Sequence, residues 1–288
     1  MKKVTLKIVL LLFFSSFILA DNPQEFKILI INSYHQNSPW TSEILNGLME
    51  NLEPEFPGSE IYIENLDTKR FFSEEYINNY DQLLTQKYKS VDLDIIIISD
   101  NNALDYLLKK SSFDIENIPK VFCGINHFDD KILAEYKLIY GVPEKLAIEE
   151  NIELIKKLNP DLRELTLVTD ITVTGKAIKK DFMQAIENYD LSIKYLDSLR
   201  LKDLIKNLES KSDKDVVIYS VFNKDIDQKY YVTNVLLDFL KLKTTAQFFS
   251  FNDFNFGHGI IGGKLLYGYG QGKAAAEIAK RILTNKTV

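Results

Sequence analysis

Cysteine is almost absent from this sequence. Cys123 is the single cysteine among 288 residues, so no disulfide can form within the chain. No cysteine lies near residue 20, and we therefore do not expect a bacterial lipoprotein held by an N-terminal cysteine. Because Cys123 ends an apolar run, we expect it to lie in the core rather than to react.

The motifs of common catalytic sites are missing as well. No two histidines stand in the HxxH or HExxH spacing of local zinc sites, and no GxSxG turn marks a hydrolase nucleophile. A GxGxxG pattern is formed by Gly257, Gly259 and Gly262, but the apolar Ile260 and Ile261 interrupt it. We therefore predict a loop here rather than a dinucleotide-binding site. We predict no metal, no cofactor and no enzymatic activity.

Positive charge is not in excess. The chain has 35 Lys and Arg against 41 Asp and Glu, a net charge of −6, and nucleic-acid binding requires a basic face. Hydrophobic residues make up 45% and charged residues 26%, which is typical of a globular protein. The composition excludes a disordered or multispan membrane chain, and the length allows two lobes with a core each.

The N-terminus has the features of an export signal. Lys2, Lys3 and Lys7 precede an uncharged, mostly apolar run at 8–20, which is too short for a comfortable membrane span. We predict a signal peptide at 1–20, cleaved after Ala20, with an uncleaved anchor as the alternative. The mature protein would then be periplasmic and without a membrane span.

Short apolar runs alternate with helical patterns along the rest of the chain. In the stretch before 160, Ile148, Ile152 and Ile155 form a one-sided apolar stripe of helical spacing. The apolar runs lie at 27–31, 61–63, 95–98, 121–123, 138–140, 165–168, 191–196, 216–221 and 248–251. Near-continuous apolar strands between helices indicate parallel sheets covered on both faces. We predict an α/β fold of two doubly wound parallel-sheet lobes joined by a hinge, lobe 1 at 26–141 plus 259–288 and lobe 2 at 142–258.

Polar residues collect where the predicted strands end. Ligands of doubly wound sheets bind beyond the carboxyl ends of the strands. The alternative for each residue is turn or capping chemistry. The predicted ligand-binding residues are Asn32, Ser33, Tyr34, His35, Trp40, Ser99, Asp100, Asn101, Gly124, Asn126, Asp170, Thr172, Thr174, Gly175, Phe222, Asn223 and Asp253.

A family resemblance rests on six segments in a fixed order: ILIINSYHQNSPWTSEILNGL, IIIISDNNALDYL, IPKVFCGINHFDD, LTLVTDITVTGKAIKKDF, VVIYSVFNKD and FNDFNFGHGIIGG. The sequence resembles the ABC-transporter substrate-binding protein family of the type I periplasmic-binding fold. It is more closely similar to the extracytoplasmic sensor version found in histidine kinases and diguanylate cyclases. The resemblance implies two lobes that close on a small ligand, and by position it implies the same strand-end residues, Trp40 excepted.

Three function classes follow from the resemblance. The first is a binding protein that delivers its ligand to an ABC permease, the second the sensing domain of a membrane signalling protein, and the third an exported enzyme on the same fold. We expect a small polar metabolite as the ligand, with an amino acid as the best candidate. The backbone near Thr174 and Gly175 suits a carboxylate, and Asp100, Asp170 or Asp253 suits an ammonium group.

Overall fold

A computed structural model describes residues 24–112, 115–126 and 128–285. The predicted signal peptide at 1–20 and His127 lie outside the described residues. Within them, the chain forms two separate parallel sheets that are covered by helices on both faces. The predicted fold class is thereby confirmed, whereas the predicted lobe boundaries stay a prediction.

The first sheet has five parallel strands in the order β2-β1-β3-β4-β5. Along the central strands β1 and β3, apolar side chains alternate between the two covered faces, as the pleat requires. Ile28 and Ile30 pack in one core cluster, and Leu29 and Ile31 in another. The strands are β1 Lys27–Asn32, β2 Glu60–Asn65, β3 Ile95–Ser99, β4 Lys120–Ile125 and β5 Ile139–Pro143.

The second sheet has four parallel strands in the order β7-β6-β8-β9. Its inner strand β8 is fully buried, because helices cover both of its faces. The strands are β6 Glu164–Val168, β7 Ser192–Leu196, β8 Val216–Tyr219 and β9 Gln247–Phe249. All nine predicted apolar runs therefore coincide with strands.

Helices follow the strands in regular alternation. Four belong to the first half of the chain: α1 Pro39–Leu52, α2 Glu74–Tyr88, α3 Asn101–Lys109 and α4 Lys131–Glu135. The others are α5 Ile148–Leu158, α6 Val173–Ile186, α7 Leu201–Glu209, α8 Thr233–Lys241, a 3₁₀ turn at Asp253–Asn255 and α9 Gly268–Leu283. In the part of the chain that is described, no helix combines the length and apolar character needed to cross a membrane.

Helix α9 returns from the second sheet and packs against α1 on the first. Its glycines allow a close approach of the two backbones. A Cβ atom on Gly272 would overlap the carbonyl oxygen of Ile44, and one on Gly47 would overlap that of Tyr269. The glycines of the GxGxxG pattern lie in the irregular segment before α9, where Gly257 and Gly259 have φ of 85° and 90°.

Candidate ligand-binding site

The loops at the carboxyl ends of the two sheets touch each other. The Tyr34 hydroxyl, just after β1, lies 3.0 Å from the Thr174 hydroxyl at the start of α6. His35 Nε2 lies 2.7 Å from the hydroxyl of Tyr230, which stands between β8 and α8. These contacts enclose a cleft between the strand ends of the two lobes, which is where parallel sheets place their ligands.

The cleft contains a cavity of ≈ 510 Å³ that both lobes line. This volume is in the range of sites for small metabolites. Side chains from the first lobe are Tyr34, Thr68, Lys69, Phe72 and Asn102, and those from the second are Ile171, Thr172, Val173, Thr174, Lys176, Ser198, Lys224, Ile226 and Gln228. The lining combines hydroxyls, amides and three lysines with apolar groups, and none of its described residues is acidic.

Lys69 is the most unusual of these residues. Its side chain is buried, with 7% of the residue exposed, and its ammonium lies 4.0 Å from the centroid of the Tyr34 ring. Within the described ranges, the ammonium has no hydrogen bond and no carboxylate within 4.0 Å. Burial lowers the pKa of Lys69, while the more distant carboxylates of Asp170 and Asp100 act in the opposite direction. An ammonium in such a position lacks the partners that buried charges normally have.

The turn after β2 fixes Lys69 in this position. Asp67 adopts φ of 52°, and its carboxylate accepts hydrogen bonds of 2.8 and 2.7 Å from Arg70 Nε. Thr68 donates through its amide and its hydroxyl to the carbonyl of Ser33, at 2.9 and 2.8 Å. Thr68 thus anchors the turn to the end of β1, the bonds of Arg70 to Asp67 brace the turn itself, and Lys69 between them lines the cavity.

The opposite wall is the N-terminus of α6. Thr172 is the N-cap, and its hydroxyl accepts a hydrogen bond of 3.1 Å from the amide of Gly175. The carboxylate of Asp170 supports this turn: Oδ1 accepts from the Thr172 amide at 2.9 Å, and Oδ2 accepts from the Asn223 amide at 2.6 Å. The amides of Val173 and Thr174 have no hydrogen-bond partner in the described chain, so two donors remain at this helix start.

Two further carboxyl groups lie behind the cavity. Asp100 is 2% exposed, and its Oδ1 accepts a hydrogen bond of 2.9 Å from Trp40 Nε1. Burial raises the pKa of Asp100 to about 7, against the opposing effect of Lys69. Glu144 is partly buried beside Asn126, and the loss of water around its carboxyl raises its pKa well above the usual value, with Asp100 adding to the effect. Burial likewise raises the pKa of Tyr34, which stays a neutral phenol.

Three of the predicted residues, Tyr34, Thr172 and Thr174, line the cavity. Others form the hydrogen-bonded layer beneath it. The Ser33 hydroxyl donates to the carbonyl of Ser99 at 2.8 Å and accepts from the amide of Ala103 at 2.8 Å. The Ser99 hydroxyl donates to Asn32 Oδ1 at 2.9 Å.

The remaining predicted residues are more scattered. Asn101 and Asn126 bind each other, and Trp40, Gly124 and Phe222 are packed inside the first or second lobe. His35 borders a separate depression with Tyr230. Gly175 and Asn223 donate their amides within the loops described above. Asp253 lies away from the cavity, where its Oδ1 is 3.4 Å from the amide of Gly268.

Sequence reasoning missed the turn that carries Thr68 and Lys69. The rule that found the other residues applies here as well, since LDTKR directly follows β2. A run of Asp, Thr, Lys and Arg is nevertheless typical of a solvated turn, so the sequence does not distinguish this turn from an exposed one. The sequence analysis also missed four other lining residues, the lysines Lys176 and Lys224 and the apolar Phe72 and Ile226. Among the described residues, no group of three His, Cys, Asp or Glu stands together as a metal site.

No protein-family model and no curated protein matches the sequence. Solved structures do match it. The ABC domain of Streptococcus pneumoniae in complex with L-Trp has a TM-score of 0.63 at 14% identity, covering 91% of this chain and 85% of its own. The chain has the type I periplasmic-binding fold.

Other structures with this fold have different tasks. A ligand-free, open substrate-binding protein of Clostridium difficile has a TM-score of 0.61 at 13% identity, covering 91% of this chain and 86% of that one. A LacI-family transcriptional regulator of Lactobacillus casei with bound glucose has a TM-score of 0.59 at 12% identity, covering 91% and 95%. At these identities the similarity shows the fold, and function has to be argued from the site.

Proposed function

We propose that this protein is an exported binding protein that holds a small polar metabolite between its lobes and delivers it to an ABC permease. The observation that carries the proposal is the cavity of ≈ 510 Å³ to which both sheets contribute their strand-end loops. Ligand capture there requires residues of both lobes at once, which is the geometry of hinge closure. The predicted signal peptide supports a periplasmic location.

The candidate ligand that the sequence suggests is an amino acid, although no acidic side chain among the described lining residues would pair with its ammonium group. The similar pneumococcal structure holds L-Trp, whose carboxylate and aromatic ring are features that this cavity suits. Lys69 and the start of α6 provide donors for a carboxylate, and Phe72, Ile171 and Ile226 provide an apolar wall. The glucose of the similar LacI-family regulator makes a sugar the main competitor.

A sensing module is the second candidate function. It is favoured by the order of the segments from ILIINSYHQNSPW to FNDFNFGHGIIGG, which resembles that of the extracytoplasmic domains of histidine kinases and diguanylate cyclases. The ligand chemistry would be the same, and only the partner would differ. Uptake of the labelled ligand in cells lacking the gene separates the two, because uptake falls only for a transport component.

A thermal-shift screen of amino acids, organic acids, sugars and nucleosides tests the binding function. A ligand at 100 times its Kd adds about 2.7 kcal/mol to the free energy of unfolding. Ser198→Trp should remove the shift, since this exposed residue lines the cavity, whereas Ser192→Trp at the other end of β7 should keep it. A shift that survives Ser198→Trp, or no shift with any compound class, would contradict the proposal.

A further inference from the structure

We propose that Lys69 and the N-terminus of α6 form a carboxylate-binding subsite, so that the ligand is a small carboxylic acid with an apolar body. This inference deepens the proposed function and rests on it, because it assigns the chemical class of ligand to the same cavity. Two classes of ligand contain the required carboxylate: amino acids, and organic acids without an amino group.

The first step of the argument is the missing partner of Lys69. An ammonium has three N–H donors and no acceptor, so only a group with acceptor atoms can satisfy it. More than nine-tenths of Lys69 is buried, and its side chain lines the cavity. Among the described residues, the Tyr34 ring contacts the ammonium, and no group accepts a hydrogen bond from it. The cavity is therefore the place from which an acceptor must come.

The second step is the position of further donors beside Lys69. Tyr34 connects the two sides, with the Lys69 ammonium over its ring and its hydroxyl 3.0 Å from that of Thr174. The amides of Val173 and Thr174 are unpaired in the described chain, and α6 has 14 residues to support a dipole at this end. Backbone amides at a helix start favour an anion. Lys69 and these amides thus provide hydrogen-bond donors that together suit one negatively charged ligand group with several acceptor atoms.

The third step is the balance of charge. Lys176 and Lys224 also line the cavity, and no carboxylate is among its described lining residues. Asp170, the carboxylate with the strongest electrostatic effect on Lys69, already accepts hydrogen bonds from Thr172 and Asn223 on its two oxygens. If Lys69 served only to neutralise acidic neighbours, an ion pair within 4.0 Å would be expected, and the described structure contains none.

The fourth step concerns the rest of the ligand. Phe72, Ile171, Val173 and Ile226 line the cavity beside the polar groups, and Phe72 remains 60% exposed at its rim. Neighbouring exposed apolar side chains at the mouth of a cavity are typical of a surface that a ligand covers. A phenyl or branched aliphatic body attached to the carboxylate would make these contacts.

Four compounds with one common body test the subsite on the unmodified protein. They are L-phenylalanine, 3-phenylpropionate, L-phenylalaninamide and 3-phenylpropionamide, with butyrate and butyramide added for a smaller body. By calorimetry, each carboxylate should bind about 10- to 150-fold more tightly than its amide, because the amide loses charge-assisted hydrogen bonds. Tighter binding of L-phenylalanine than of 3-phenylpropionate identifies an amino acid as the source, and the reverse order identifies an organic acid.

Lys69→Met tests the residue, with Lys157→Met as the matched control. Lys69→Met should abolish the preference for carboxylates, while the ligand-free variant melts at the same or a higher temperature, because an unpaired buried charge has been removed. Lys157 is exposed on α5 and does not line the cavity, so Lys157→Met should retain the preference. A Lys69 with a purely structural role would instead give a lower melting temperature and an unchanged preference.

The outcomes separate this inference from the proposed function. Amides that bind as tightly as carboxylates, or carboxylates that bind Lys69→Met as they bind the parent, would overturn the subsite. If no carboxylate binds at millimolar concentration while a sugar does, the subsite is wrong and the binding function stands. If no compound of any class binds, both the carboxylate subsite and the proposed binding function are contradicted.

Discussion

Asp100 combines an uncommon backbone conformation with a carboxyl group that is almost devoid of water. Its φ of 68° and ψ of 162° are rare for a residue with a side chain, and they place the carboxyl beneath Trp40 rather than at the start of α3. The Oδ2 atom has no hydrogen-bond partner among the described residues. Such strain is concentrated at functional sites, and here it lies directly behind the cavity.

We predict that Asp100→Asn removes a pH dependence of stability. Burial raises the folded pKa of Asp100 to about 7 from 3.8, so the folded state binds more protons between these values and stability falls as pH rises through them. The difference of about 3 pKa units corresponds to at most about 4 kcal/mol, lost in full above pH 7. Lys69, Glu144 and Tyr34 face the same region, and all are retained in the variant.

The measurement is urea unfolding of parent and variant at several values between about pH 4 and pH 8. At the acidic end the two proteins should be similar, because Asp100 is then a neutral group that resembles an amide. At the basic end Asp100→Asn should be the more stable protein. Parallel stability curves across this range would show that Asp100 is already ionised in the folded state at low pH.

Asp170 has a different role, because its carboxylate organises two loops. Its oxygens accept from the amides of Thr172 and Asn223, which belong to the loops after β6 and β8. We predict that Asp170→Ala lowers the free energy of unfolding by about 2–3 kcal/mol, since buried amides lose a charged acceptor. Asp105→Ala, at an exposed site on α3, should change it by less than about 0.5 kcal/mol in the same unfolding assay. Equal, small losses for both variants would contradict this role.

At the scale of elements, the strands could be predicted from the sequence. The directions in which most polar side chains point could not. Nine apolar runs predict nine strands, since a strand buried on both faces has few other sequence patterns. The sequence places the start of the next helix at Thr174 and Gly175, whereas in the structure α6 begins at Val173 with Thr172 as its N-cap. Whether Ser33 points into the cavity or caps α3 depends on the distance to Ala103, which a single sequence does not contain. Lys69 was missed because charged turns are usually solvated, and only the anchoring of Thr68 reveals that this one is buried.

The packing of α9 on α1 gives a prediction at this scale. A methyl group on Gly272 would overlap the backbone of Ile44, and a rigid backbone cannot move aside cheaply. We predict that Gly272→Ala lowers the free energy of unfolding by about 2–3 kcal/mol, even though alanine favours helix. Gly270→Ala, two residues earlier in α9, meets only the Tyr267 side chain and should be neutral or slightly stabilising. Similar unfolding midpoints for the two variants would mean that the helices can separate without cost.

At the scale of the whole molecule, the cavity exists only because the two sheets face each other. The first lobe contributes Lys69 and the second contributes the amides of α6, and hydrogen bonds of Tyr34 and His35 cross between them. Sequence periodicity predicts each sheet by itself. It contains no information on their relative orientation, which is why the convergence of Lys69 with Thr174 could not be predicted.

The bond between His35 and Tyr230 is the sharpest test of closure at this scale. Tyr230→Phe removes a hydroxyl that lies 2.7 Å from His35 Nε2 and leaves each lobe otherwise intact. Burial, with Arg70 nearby, lowers the pKa of His35, which therefore remains a neutral hydrogen-bonding partner at neutral pH. We expect the variant to have a larger radius of gyration in small-angle scattering. It should also bind its ligand up to about fivefold more weakly, which corresponds to the loss of about 1 kcal/mol of binding free energy.

Tyr231→Phe is the matched control, since its hydroxyl donates to Asp225 within the second lobe at 2.9 Å. It should lower the melting temperature while leaving scattering and affinity unchanged. Identical scattering for Tyr230→Phe and the parent, with and without ligand, would show that this bond does not hold the lobes together.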